Sequence, residues 1–283
     1  MALHLIDSEI LRTSCRQKIE SCELWLRRLV HDVLCADFGE KYVERAAVDG
    51  QPLFPKKTRD AAAARLASHS SRYQRQIDAL ELDELAALIC KRQSYQRFFA
   101  RAFASGFPCG GDQLRCTLDR LVPVRNALSH ANPISTHDAA RVLCYSDDII
   151  ATLATHFRTI GMEDEFDAPS FTRIFDSLGN VIQPSKTIAD AVMESQQLRC
   201  GDTLRIEVEV DAHFSPNEYD VSWIIGTTKV VSQEPCALVL KLEPGHVSKS
   251  LSILAIVVSK KTWHRHGSYD GLVNITYRVL PPL

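Results

Sequence analysis

The sequence has no Cys-x-x-Cys pair, no hydrophobic run of bilayer length, no low-complexity tract and almost no net charge. Nine cysteines stand at 15, 22, 35, 90, 109, 116, 144, 200 and 236. An odd, scattered set in a long chain indicates neither a disulfide framework nor a zinc knuckle. Most of these side chains are expected to be small buried hydrophobes, kept reduced. The longest apolar runs, such as Ile253–Val258, fall far short of the roughly 18 residues that a spanning helix needs. The opening segment MALHLIDSEI meets charge within seven residues and lacks a signal-peptide core. A cytoplasmic protein without membrane association is therefore expected. A formal charge of −2 excludes a partner drawn in by a strong global field.

That charge is unevenly divided. Residues 1–160 carry a formal +3 and residues 161–283 a formal −5, as for two different modules in one chain. The periodicity changes at the same place. In the first part Cys22, Leu26, Leu29 and Val33 recur at helical spacing. A second helix is expected from Thr58 through the Ala61–Ala64 run to about Leu80. A third carries Leu85, Leu88, Ile89, Tyr95, Phe99, Ala102 and Phe103 on one face. Gly106, Pro108, Gly110 and Gly111 then break the chain. A fourth helix runs from about Asp112 towards His130, and a fifth begins near Ser135 with capping-type spacing to Asp138.

Beyond residue 160 the period is two. Leu204, Ile206, Val208 and Val210 alternate with polar residues, as do Tyr219, Val221 and Trp223, then Leu238, Leu240 and Leu242. Val273, Ile275, Tyr277 and Val279 close the series. Seven of the twelve prolines fall here, at expected turns and strand ends. The pattern predicts a β-sandwich over 200–283. The stretch 161–199 reads as a linker or early strands, with a hairpin turn at Asp176–Asn180.

Several motifs are absent as well. Gly110-Gly111 lacks the Lys-Ser/Thr of a phosphate loop, Asp147-Asp148 lacks partner carboxylates, and there is no Gly-x-Ser-x-Gly. His246, His264 and His266 are assigned to turns rather than to a metal. No cofactor is indicated.

One segment carries chemistry: Leu-Val-Pro-Val-Arg125-Asn126-Ala-Leu-Ser-His130-Ala-Asn-Pro133. Leu114, Leu118, Leu121 and Leu128 form a stripe in which Arg125 occupies an apolar position, while Asn126 and His130 lie four apart on an adjacent face. Pro123 either begins this helix or kinks it, and Pro133 places His130 near its end. Taken singly, Arg125 would snorkel out of the stripe and His130 would face the helix dipole.

Together with its helical setting, the segment resembles the signature of the HEPN superfamily of helical nucleotide-binding domains, Arg, a polar residue, a few variable positions and His, here Arg125, Asn126, three residues and His130. The resemblance covers most of residues 1–160. It implies a HEPN-like helical bundle of residues 1–160 that forms a homodimer, and a metal-independent endoribonuclease with a composite site. Arg125 would hold the scissile phosphate, and His130 would move the proton of an RNA 2′-hydroxyl or of the leaving oxygen. Asn126 would orient the histidine or donate to the phosphate. Lys91, Arg92, Arg97, Arg101, Arg115 and Arg120 read singly as a solvated helical face, and doubled in a dimer they would line an RNA cleft. The setting would be a toxin, a phage-defence effector or an RNA-processing factor. The alternative is a non-catalytic dimerisation or binding protein. The C-terminal part resembles immunoglobulin-like sandwiches through Cys200-Gly-Asp-Thr-Leu and Tyr219-Asp-Val-Ser-Trp223, which implies loops for recognising a protein partner.

Overall fold

A computed structural model describes residues 3–69, 72–184 and 186–282. It divides the chain into two compact units, Met1–Ser68 with Arg75–Glu163, and His69–Gln74 with Asp164–Leu283. Helices and strands are both well represented, so the chain is of mixed α and β class.

The first unit is helical. Its longest element is α1 (Ser8–Phe38), started by the Asp7 carboxylate, which accepts the N–H groups of Glu9 and Ile10. Such a cap replaces hydrogen bonds the first turn cannot make. Leu11, Cys15, Ile19, Cys22, Leu26 and Leu29 recur every three or four residues and are all buried. After α2 (Tyr42–Arg45), strands β1 (Ala47–Val48) and β2 (Gln51–Pro52) form a hairpin. Its turn residues Asp49 and Gly50 both have positive φ, the Asp-Gly preference of tight hairpins. Helix α3 (Lys56–Ser68) stops twelve residues before the expected Leu80, and a single 3-10 turn (Gln76–Ala79) follows.

The expected third helix is not continuous. It resolves into α4 (Leu82–Ile89), α5 (Arg92–Ser94), a π turn (Tyr95–Phe99) and α6 (Ala100–Phe103). No glycine or proline marks the break; Lys91 takes extended backbone there, with φ −63° and ψ 125°. Helix α7 (Gly111–Ser129) buries Leu114, Leu118, Leu121, Val124 and Leu128. Pro123 lies inside this helix and does not end it. Its missing N–H leaves the Asp119 carbonyl without the usual helical donor.

Helix α8 (Thr136–Thr159) begins at Ser135, whose hydroxyl accepts the Asp138 N–H at 3.1 Å. Asp138 in turn accepts the Ser135 hydroxyl at 2.7 Å, so the pair locks side chain to side chain. Helix α1 packs on α8 and α7, and α4 packs on α7. Fully buried Trp25 meets Phe157 at 6.0 Å between ring centres.

The second unit opens with α9 (Glu163–Phe166), of which Asp164 onwards belongs to it. Two sheets follow. One pairs β4 (Val181–Ile182), β3 (Phe171–Asp176), β6 (Thr203–Val210) and β9 (Ala237–Lys241) in that order. The other runs β5 (Ile188–Arg199), β11 (Gly271–Leu280), β10 (Ser248–Ser259), β7 (Tyr219–Ile225) and β8 (Thr228–Val230). All pairs are antiparallel except β5 with β11. Both sheets contribute to one core, in which Trp223, Ile206, Ile253, Ile275 and Tyr277 are buried.

In this unit strands begin at Phe171, and β3, β4 and β5 precede the Thr203 strand, which is the early-strand reading of 161–199. The stretch 161–199 is not a linker. Its alternation is spoiled where Met193 pairs with Tyr277 but Leu198 with Val279, a bulge that shifts the inward face. The Asp176–Asn180 turn joins β3 to β4, and Asp176 accepts the N–H groups of Leu178 and Asn180. The same carboxylate accepts the buried Tyr277 hydroxyl at 2.9 Å.

Candidate functional site

Arg125 leaves the core stripe of α7 for a reason the stripe itself does not reveal. Its Nε donates to Glu23 Oε1 of α1 at 2.9 Å, and its Nη1 to Glu81 Oε2, just before α4, at 3.3 Å. Nη1 also lies 3.3 Å from Asn126 Oδ1. Glu23 is buried, with 6% side-chain exposure, and binds Arg27 at 2.8 Å through its other oxygen. Arg27 further donates to the Leu80 carbonyl. On the other side Arg65 lies 3.6 Å from Glu81 and 2.7 Å from Glu84.

Three arginines and three glutamates thus alternate in a neutral chain: Arg27, Glu23, Arg125, Glu81, Arg65 and Glu84. It ties α1, α3, α7 and the start of α4 together. Burial alone would lower the Arg125 pKa, but the Glu23 and Glu81 carboxylates outweigh it, so the guanidinium is held above its ordinary value. Arg125 is a permanent cation at 19% side-chain exposure. Its Nη2 makes no hydrogen bond among the described residues, so that one nitrogen remains to donate to a further oxyanion.

His130 is in a different situation. It caps α7 through its N–H to the Asn126 carbonyl at 3.2 Å, and it is exposed. Five residues separate it from Arg125, which on a helix is about 140° around the axis and about 7.5 Å along it. The two side chains therefore leave α7 on different faces. Asn126 is exposed and accepts from Arg125; its side chain makes no hydrogen bond to His130. The contact Asn126 does make, accepting from Arg125, is neither of the two roles expected for it, which were to orient the histidine or donate to the phosphate.

Two cavities flank the turn after the motif. One, of about 400 Å³, is lined by Ile6, Leu11, Arg12, Ala131, Pro133 and Ile134 among others. The second, of about 330 Å³, is lined by Arg120, Pro123, Ala127, Pro133, Asp138 and Arg141 among others. None of Arg125, Asn126 and His130 lines either. Arg120 donates to the Tyr145 hydroxyl at 2.8 Å. Lys91, Arg92, Arg97 and Arg101 are exposed on the broken helical segment, and Arg115 is half-buried on α7.

The histidines of the second unit have local duties. His246 Nδ1 accepts the Glu243 N–H, and His266 Nε2 meets the Thr187 hydroxyl at 2.9 Å. His264 sits with Ser259 and Asp270, but both oxygens meet the same Nδ1, at 3.4 and 3.3 Å. A nucleophilic serine needs the opposite ring nitrogen, so this set is structural. Asp270 accepts the N–H groups of Ser259 and Arg265. Burial raises the Asp270 carboxyl, yet these donors and His264 outweigh it and hold it below the ordinary range. The Arg265 guanidinium donates to the carbonyls of Asp164, Glu165, Ala168 and Asp270, stapling the entry segment to the loop between β10 and β11.

Sequence reasoning missed Glu23 and Glu81. They lie 102 and 44 residues from Arg125, and no local pattern announces a pairing at that range. One signal was available: Glu23 interrupts the apolar face of α1 between Cys22 and Trp25, as Arg125 interrupts that of α7. A buried anion and a buried cation on neighbouring helices call for one another.

No family model matches the chain, and no curated protein does. Among solved structures, a protein described as the extracellular domain of a hybrid two-component system from B. thetaiotaomicron aligns at 8% identity and a TM-score of 0.25. The alignment covers 41% of this chain and 15% of that one. A likeness of that degree carries no argument about fold or function.

Proposed function

We propose that the chain is a metal-independent RNA endonuclease of the HEPN type whose chemistry is carried by Arg125 and His130, joined to an immunoglobulin-like recognition module. The observation that supports it is the division of labour on α7. A guanidinium anchored through Nε and Nη1 keeps Nη2 without a partner among the described residues, while an imidazole stands exposed at the end of the same helix. Arg125 binds a phosphate oxygen through Nη2 and stabilises the charge that grows on it during in-line attack. His130 of a protomer takes the proton from the 2′-hydroxyl or returns one to the leaving 5′-oxygen. Because the two side chains leave the helix on different faces, one protomer does not complete the site. A homodimer that sets His130 of one copy against Arg125 of the other is the arrangement the reading requires. In the second unit, the single parallel pairing at an edge and the core position of Trp223 support the immunoglobulin-like reading.

The test incubates the purified protein with mixed RNAs in excess EDTA, alongside His130→Ala and Arg125→Lys. His130 is exposed and holds only a backbone cap, so its removal leaves the fold intact. Loss of cleavage by about 10²–10⁴-fold in His130→Ala is expected for a general acid–base residue. Cleavage that persists in His130→Ala removes the histidine from the mechanism.

A second reading has its own observation. Arg125 already satisfies two carboxylates, as a purely structural strut would. In that case the helical unit is a non-catalytic dimerisation or binding module. A protein that is inert towards every RNA, with Arg125→Lys affecting only stability, would establish it.

A further inference from the structure

Many cations of the helical unit are held in ion pairs, and one run of four along the chain is not. Arg12, Arg16, Lys18, Arg27, Arg65, Arg75, Arg125 and Arg141 each lie within 4 Å of a carboxylate. Lys91, Arg92, Arg97 and Arg101 do not, and none of the four forms an ion pair among the described residues. All four are exposed. They lie in a window, residues 85–111, that contains no aspartate or glutamate. An ordinary solvated surface intersperses both signs; this stretch of chain carries only positive charge.

The local backbone sharpens the contrast. The segment is broken at Lys91 and again at the π turn of Tyr95–Phe99, a departure that recurs at functional sites. The Phe98 ring is half-buried, edge-on to Phe38 at 5.9 Å, with the Arg97 guanidinium over it at 5.3 Å. Gln93 and Gln96 stand exposed between the cations and add neutral donors. His156 senses the same positive field: its pKa is lowered first by burial and then by Arg101. At Cys90, beside Lys91, the charges felt are Arg115, Asp119 and Asp112 of α7.

We infer that Lys91, Arg92, Arg97 and Arg101, with Phe98, form a binding surface for the phosphate backbone of single-stranded RNA. The inference rests on the RNA reading of the helical unit and says where on that unit the strand runs. A segment of about ten residues, even at the rise of a helix, reaches on the order of 15 Å, room for several nucleotides. Arginines without carboxylate partners meet phosphates as charge-assisted pairs, and the Arg97–Phe98 pair offers a flat surface on which a base stacks. A lipid surface is disfavoured because no apolar side chain accompanies the cations except the half-buried Phe98.

The experiment measures binding of a fluorescent single-stranded RNA of about 16 nucleotides to the full chain in the His130→Ala background, over a range of salt. Arg97→Gln/Arg101→Gln is compared with Lys56→Gln/Lys57→Gln, an equal charge removal at exposed lysines of α3. Circular dichroism verifies that both are folded. The Arg97/Arg101 variant should bind at least tenfold more weakly, with the salt slope reduced by about 1.4, or 0.7 per lost phosphate contact on a single strand. The α3 variant should change affinity less than threefold. Phe98→Leu should weaken binding about threefold or more without changing the salt slope. Equal losses in the two double variants, or no binding by the parent, overturn the inference. Competition by polyglutamate as effective as that by unlabelled RNA also overturns it, in favour of acidic peptides. The nuclease reading fails separately, if cleavage by the otherwise wild-type protein survives removal of His130.

Discussion

Replacing Glu23 with glutamine removes one negative charge from between two guanidiniums, and the ion chain that holds Arg125 can be judged by the result. Glu23 has 6% side-chain exposure, and its two oxygens take Arg125 at 2.9 Å and Arg27 at 2.8 Å. Breaking a buried pair by removing one partner costs about 3–5 kcal/mol. Three features place this case at or below the lower end. Glutamine keeps one acceptor oxygen, Arg125 retains Glu81, and Arg27 retains two hydrogen bonds to the Leu80 carbonyl. The expected loss is about 2–3 kcal/mol. For a unit of this size each kcal/mol moves the midpoint by about 2–4 °C, so the helical melting transition should fall by about 4–12 °C. The assay is thermal unfolding followed by the far-ultraviolet helical signal. It is run on Glu23→Gln, Arg125→Met and the double variant. Coupled residues should give a double variant about 1–3 kcal/mol more stable than the sum of the single losses predicts. A loss below about 0.5 kcal/mol in Glu23→Gln, or strict additivity, would show that Glu23 does not hold Arg125.

Three further outcomes are expected. Tyr277→Phe deletes the buried hydroxyl that donates to Asp176, while Asn180 still donates to that carboxylate; denaturant unfolding of the second unit should show a loss of about 1–2 kcal/mol. Asp270 contributes stability that is present above the ordinary carboxyl value of about 3.9 and is lost as pH falls through its lower folded value. Asp270→Asn should therefore be less stable than wild type at pH 7, with the gap narrowing below about pH 4 in Trp223 fluorescence unfolding; a gap independent of pH would contradict the assignment. Arg265→Ala frees the carbonyls of Asp164, Glu165 and Ala168, and limited proteolysis should cut within 164–169 about tenfold faster or more, with the strands still resistant.

Where one face of a strand is buried, sequence and structure agree closely. The alternation over Leu204–Val210 and Val273–Val279 is the alternation of burial in β6 and β11. Strand β5 escaped because its bulge against β11 breaks the period between Met193 and Leu198. The break at Lys91 escaped because neither glycine nor proline announces it, and the apolar spacing of Leu85–Phe103 continues across it. At the candidate site the position of His130 at the helix end was legible from Pro133, and its exposure was not. The environment of Arg125 was not, because its carboxylates come from α1 and the start of α4. Side-chain pairing across a bundle is a property of packing, and local periodicity does not record it.

The central claim is that RNA is cut by its own 2′-hydroxyl, with the proton moved by His130. It is tested most directly by the ends of the fragments, read by mass spectrometry after digestion in EDTA. The account predicts 2′,3′-cyclic phosphate and 5′-hydroxyl ends, no cutting of the matching DNA, and no such ends from His130→Ala. Fragments with 3′-hydroxyl and 5′-phosphate ends, or DNA cut as readily as RNA, would contradict it.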